Sequence, residues 1–354
     1  MRTSILAAIL GWLALAEARG QNIELVAGGG ETPEGVAATK AKLGNPFGVD
    51  FDAAGNLFFV EIDGHRVCRI DPAGKLTRIA GTGVKGDAGD GGPALSAQFN
   101  ALHNLAVGDG GDIYLADTLN HKVRKLDKSG QITTIAGTSK GFSGDGGPAA
   151  RAQFSGIYCV SLDPSRERLY LADLDNRRIR MIVLKTGIVT TVAGNGEKGV
   201  PADSAAAAES PLVDPRAVAA DSAGNVYVLE RSGHALRVVD RQGKIRTLAG
   251  TGQRGATGDG GPARQATLSG PKHLCIDKDG GIIIADTDNH VIRKLLADGT
   301  IVRLAGSGRR GPGGVPGPAL AVELDQPHGV YVHPSGDLYI ADSLNHRILK
   351  IDRP

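Results

Sequence analysis

Apolar and polar positions along this chain alternate in short runs and show no long helical stripe. Within residues 105–137 the runs LAVGD, DIYLAD, KVRKLD and ITTIAG are β-branched, and the turns between them carry Gly, Asn, Asp and Ser. Such alternation predicts strands with one buried face, and such turns predict tight reversals. The unit of four runs recurs. Ala-Gly pairs close it at Ala27-Gly28, Ala80-Gly81, Ala136-Gly137, Ala193-Gly194, Ala249-Gly250 and Ala305-Gly306. An acidic residue ends the second run at Glu61, Asp117, Asp173, Glu230, Asp286 and Asp342, in steps of 56 or 57 residues. A fixed period of this size predicts a propeller, a solenoid or an array. The last period, residues 325–354, has only three runs, and the leading run 23–28 matches the missing fourth. A solenoid would need caps instead. The expected fold is all-β: a six-bladed β-propeller of four-stranded antiparallel blades, closed by the N-terminal strand completing the last blade.

The first residues read differently. Arg2 precedes the apolar run ILAAILGWLALA (5–16), and Ala16-Glu17-Ala18 forms an A-x-A cleavage pattern. This predicts a signal peptide over residues 1–18. One propeller domain then spans 19–354, and its 336 residues are six periods of 56. The expectation is an exported monomer, periplasmic or secreted, with no transmembrane segment once the signal is removed. Lys plus Arg number 40 against 38 Asp plus Glu, a net charge of +2, so charge gives no argument for a nucleic-acid partner. Cys68, Cys159 and Cys275 are an odd count inside apolar runs and are expected as small buried core residues without a disulfide framework.

The segments LADTLNHKVRKL (115–126), IADTDNHVIRKL (283–294) and IADSLNHRILKI (340–351) resemble NHL repeats. The loops SGDGGPAARAQF (143–154) and TGDGGPARQATL (257–268), with GDGGPALSAQF near 89–99, are similar to those of exported bacterial NHL propellers and of the teneurin NHL domain. The resemblance covers all six periods and implies the propeller. NHL-like propellers include binding and catalytic members, so fold leaves function open.

Residues present in every period are expected to serve every blade. The carboxylate column is read as accepting N–H bonds from the turn that follows it. His65, His121, Arg177, His234, His290 and His346, four residues on, are read as locking that turn. Repeated GxGxxG matches, such as Gly81-x-Gly83-x-x-Gly86, open no long helix and are loop punctuation rather than a dinucleotide site. Lys85, Lys140, Lys198, Arg254 and Arg310 form a cationic rim.

One column varies while the scaffold repeats: Phe47, His103, Tyr158, Arg216, Lys272 and His328, at the start of each innermost strand. These six residues are the candidate ligand-binding ring at the mouth of the central channel. The expected function is a non-catalytic binding module that presents a loop-rich face to an extracytoplasmic protein, peptide or glycan. No catalytic residues and no cofactor are expected. The alternative is a metal-dependent propeller enzyme, lyase- or hydrolase-like. Resemblance to the NHL-like lyases implies axial zinc on three histidines. Here His103 and His328 are the weak metal candidates, and His273 is the only third donor, one residue off the column. Calcium, as in lactonase-type propellers, would need carboxylates that the column lacks.

Overall fold

The computed structural model describes residues 21–32 and 35–352, so the predicted signal segment 1–18 lies outside the described residues. Six antiparallel sheets follow one another. Blade 1 comprises Pro46–Phe51, Leu57–Glu61, Arg66–Ile70 and Leu76–Ala80, counted outward from the axis. Blades 2 to 5 repeat the order, beginning with the innermost strands Leu102–Val107, Ile157–Leu162, Pro215–Ala220 and His273–Ile276. Blade 6 takes Pro327–Val332, Leu338–Asp342 and Arg347–Ile351 from the end of the chain, and Asn22–Gly28 from its beginning. The closing pairs include Ile23 with Ile351 and Leu25 with Leu349, the closure expected from the register of the periods.

The cohesion lies between blades. Phe58 and Val60 of blade 1 pack with Leu102 and Leu105 of blade 2. Ala106 and Tyr114 of blade 2 pack with Val160 and Leu171 of blade 3. Ile283 and Ile292 of blade 5 meet Val330 and Ile340 of blade 6, and Ala341 and Ile348 of blade 6 meet Val49 and Phe59 of blade 1. Each buried aliphatic side chain stabilises by about 1.5–3 kcal/mol, so these seams hold the ring.

Two features differ from the expectation. Three sheets gain a fifth, two-residue strand: Ala205–Ala206, Gly261–Pro262 and Gly317–Pro318 pair with the outermost strands of blades 4, 5 and 6. Of the cysteines, Cys68 and Cys159 are buried and all three are free thiols, but Cys275 is only half-buried. The Pro-Ala steps of the GDGG loops start single 3₁₀ turns, as at Ala94–Ser96 after Pro93.

Candidate functional site

The varying column owes its position to a break in pairing. In blades 1, 2, 3, 4 and 6 the register of the innermost strand shifts at its start, skipping residues 47–48, 103, 158, 216 and 328. A bulge of this kind re-aims a side chain that regular alternation would place elsewhere. Five of the column residues are turned by this bulge, Lys272 immediately precedes the innermost strand of blade 5, and the six come together. Phe47 stacks on His328 with ring centroids 4.1 Å apart and meets His103 edge-on at 5.2 Å. His103 meets Tyr158 at 4.6 Å, and the Arg216 guanidinium lies 4.4 Å from the Tyr158 ring centroid. Lys272 Nζ lies 3.0 Å from His328 Nε2.

The tautomers of both ring histidines follow from their partners. His328 Nδ1 lies 2.7 Å from the Gln326 carbonyl and donates to it, leaving Nε2 to accept from Lys272. His103 Nδ1 donates to the Ala101 carbonyl at 2.9 Å. Burial pushes both imidazoles well below the ordinary histidine value, and the positive charges of Arg216 and Lys272 push in the same direction. Burial also brings Arg216 down to about 10 and Lys272 down to about 8.

The metal candidates are not assembled into a set. The Phe47 ring touches both His103 and His328, and Lys272 occupies the His328 Nε2 lone pair. His273 lies one layer deeper. Among the described residues no three His, Cys, Asp or Glu side chains group as a metal site. The side chains present therefore do not fit a three-histidine zinc, and the ring supplies no carboxylate to calcium.

The deeper layer was not anticipated. Asn104 of blade 2 reaches across the axis to His273 of blade 5, with Nδ2 3.0 Å from Nε2. The Val160 N–H donates to Asn104 Oδ1 at 3.0 Å and fixes the amide. The Val330 N–H lies 3.3 Å from His273 Nδ1. The Val330 N–H donates to Nδ1, and the Asn104 amide meets the imidazole at Nε2 as a side-chain polar contact. Burial brings His273 down to about 4. This polar bar separates the ring from a cavity of about 560 Å³ at the opposite end, where Asp50, Arg166, Cys275 and Tyr331 stand. The signal existed in the sequence: the equivalent positions in the other blades hold Gly48, Cys159, Ala217 and Gly329, so Asn104 and His273 are the two polar departures.

The repeated columns are scaffold, by a route other than the expected one. The six carboxylates are wholly buried. In four blades they hold the turn that follows through its asparagine side chain rather than through backbone N–H groups: Nδ2 of Asn120, Asn176, Asn289 and Asn345 donates to the carboxylate at 2.8–2.9 Å. Each carboxylate accepts an N–H from a residue 17 or 18 positions earlier, on the loop entering the same blade: Gly44, Asn100, Ser155, Val213, Ser269 and Asp325, at 2.6–2.8 Å. Each also meets an arginine of the third strand. Arg124, Arg180, Arg237 and Arg293 stand seven residues on, while Arg66 and Arg347 stand five on. The GDGG aspartates complete three of these knots, as where Asp90 accepts from Arg124 Nε at 3.0 Å. Burial raises Asp117 and Asp286 to about 6 and Asp173 to about 7 despite these donors. The next column does lock the turn, with φ of 45–57° at its five histidines and 50° at Arg177. The histidines also staple blades together. Nδ1 of His65, His121, His234, His290 and His346 accepts the N–H of Ala101, Gly156, Gly270, Gln326 and Asn45 in the next blade. The loop cations are exposed; Arg310 pairs with Asp325 at 2.9 Å and Arg254 reaches Ser269 Oγ.

Residues 148–257 match the Teneurin NHL domain family, and residues 324–351 match the NHL repeat family. Teneurin-3 of Mus musculus is 31% identical over 273 residues, covering 70% of this chain and 10% of that protein. NHL repeat-containing protein 2 of Homo sapiens is 28% identical over 273 residues, covering 67% of this chain and 37% of that protein. The chain thus spans well under half the length of these relatives. A protein of unknown function from Bacteroides thetaiotaomicron has a crystal structure that superposes with a TM-score of 0.70 at 19% identity, covering 94% of this chain and 76% of that one. That likeness is one of fold.

Proposed function

Since this chain is an NHL-repeat β-propeller, we propose that it is an exported, non-catalytic interaction module whose loop-rich face holds an extracytoplasmic protein, peptide or glycan. The observation that carries the reading is the division of labour among its polar residues. The repeated carboxylates, arginines and histidines are consumed in holding blades together, whereas the six varying side chains meet at the centre of the face from which the GDGG loops emerge. Variation at one point of a repeating frame is how a rigid scaffold acquires a specific site. The teneurin and NHL-repeat relatives support an interaction role in the same sense. The lyase-like alternative lacks a donor set, because Phe47 lies against both candidate histidines.

The test is binding by face. Purified chain, in which N-terminal sequencing beginning at Arg19 would support export, is screened on glycan and peptide arrays. Any binding is then measured for Lys85→Glu/Lys140→Glu/Lys198→Glu, on the mouth-side rim, and for Lys278→Glu, at the opposite end. Loss confined to the rim variant is expected. Loss confined to Lys278→Glu would overturn the reading. So would one equivalent of metal in chelator-free protein that disappears in His103→Ala/His328→Ala.

A further inference from the structure

Five of the six junctions around the mouth ring are closed by direct contact: Lys272 to His328, His328 to Phe47, Phe47 to His103, His103 to Tyr158, and Tyr158 to Arg216. The sixth junction, between Arg216 of blade 4 and Lys272 of blade 5, carries no hydrogen bond or ring contact among the described residues. It therefore lies between two like charges. We propose that this junction is a binding site for the carboxylate of an organic acid, held between the Arg216 guanidinium and the Lys272 ammonium; the inference deepens the loop-face reading and rests on it.

Arg216 is the first reason. It is 5% exposed, and its Nε is buried without a hydrogen-bond partner. Its contacts are the Tyr158 ring and the Tyr158 carbonyl, 3.3 Å from Nη1. Among the described residues no carboxylate pairs with it. Asp214, two residues earlier, is engaged through Oδ2 by Arg231 at 2.9 Å and by Ser232 Oγ at 2.6 Å; its Oδ1 is buried without a hydrogen-bond partner, and its charge reaches Arg216 without forming an ion pair. A buried charge without a counterion destabilises a fold, and one kept in a cleft marks a candidate site for a partner that arrives from outside.

Lys272 is the second. It donates to neutral acceptors, His328 Nε2 at 3.0 Å and Gln326 Oε1 at 3.3 Å, and among the described residues its acidic contact is a long ion pair with Asp288 at 3.9 Å. Arg231 adds to the positive field at both residues. A planar guanidinium beside a point charge matches a planar two-oxygen anion better than a sphere. The adjoining Phe47, His328 and Tyr158 rings favour an acid with an aromatic or apolar body.

Isothermal titration calorimetry of the whole chain tests this. The probes are sodium benzoate and N-acetyl-phenylalanine, each against its neutral amide. The acids are expected to bind and the amides not to. Arg216→Gln and Lys272→Met should each weaken acid binding about tenfold or more, the loss expected for one charged hydrogen-bond donor. Lys278→Met at the far end should leave it unchanged. Should Arg216→Gln fail to fold, Lys272→Met carries the test. Binding of benzoate alone assigns a free organic acid, and binding of N-acetyl-phenylalanine alone assigns a peptide C-terminus. Equal binding of acid and amide, acid binding untouched by both variants, or no heat from any probe would overturn the site. Array binding that responds to the rim variant but not to Arg216→Gln or Lys272→Met would leave the interaction module standing without it.

Discussion

Arg124 and Arg216 are both guanidiniums buried on β-strands, and they are balanced in opposite ways. Arg124 lies in a repeated column. It is wholly buried, with Asp90, Asp117 and Asp87 at 3.0, 3.4 and 3.8 Å and Phe99 beneath it. Arg216 lies in the varying column, with one aromatic ring and one carbonyl. A charge that every blade needs comes with its counterions encoded in the same period. Arg216, which one blade alone carries, has no ion pair among the described residues. The molecule thereby marks which buried charges belong to the fold and which to a ligand.

The hardest blow to that comparison should come from the scaffold side. Arg124→Met leaves Asp117 buried without its cation, and removing one partner of a buried pair destabilises by about 3–5 kcal/mol. Urea denaturation followed by circular dichroism should show that loss. An effect near zero would mean that the knots are incidental to the fold.

The bar across the axis tests an intermediate case. The folded-state value of His273 is depressed to about 4, by burial first and then by Arg216. A base depressed in the folded state contributes stability that is fully present above its unfolded value near 6.5 and is lost as pH falls toward 4. The raised carboxylates act in the other direction over part of this range, so the measurement must be a difference. The wild-type stability should fall relative to His273→Asn by roughly 2 kcal/mol between pH 6.5 and 4, a figure reduced because the ring borders the open cavity. Parallel curves would show that His273 does not titrate between folded and unfolded states.

Much of the fold is legible in the amino-acid sequence. The six blades and their closure follow from the period and from the leading strand that matches the truncated last repeat. The mouth ring was visible because Phe47, His103, Tyr158, Arg216, Lys272 and His328 differ where everything around them recurs. What stayed hidden has physical reasons. The bulge that turns five of these side chains is a pairing property and leaves no mark on residue type. The arginine of each knot shifts from seven residues after its carboxylate to five in blades 1 and 6, where Cys68 and Leu349 hold the other position, so no single column shows it. The carboxylates bond backward along the chain to a loop 17 or 18 residues earlier, which a local turn argument does not reach. Asn104 and His273 belong to opposite blades, and their meeting appears only when the ring closes.

The smallest expected effect is also the one whose sign matters. If Arg216 is an uncompensated charge, then replacing it with an apolar residue of similar length removes a burden rather than a support. Arg216→Met gives up the Tyr158 contacts but relieves the desolvated cation, and apolar replacement of buried charge is often stabilising. The expected outcome is a gain of about 1 kcal/mol in urea denaturation, opposite in sign to Arg124→Met. Sodium benzoate at saturating concentration should narrow the gap from the wild-type side, because a ligand that binds only the folded protein stabilises it by mass action. A loss in Arg216→Met as large as that in Arg124→Met would show that the two guanidiniums do the same work, and the ring would then be a plug in the mouth of the channel.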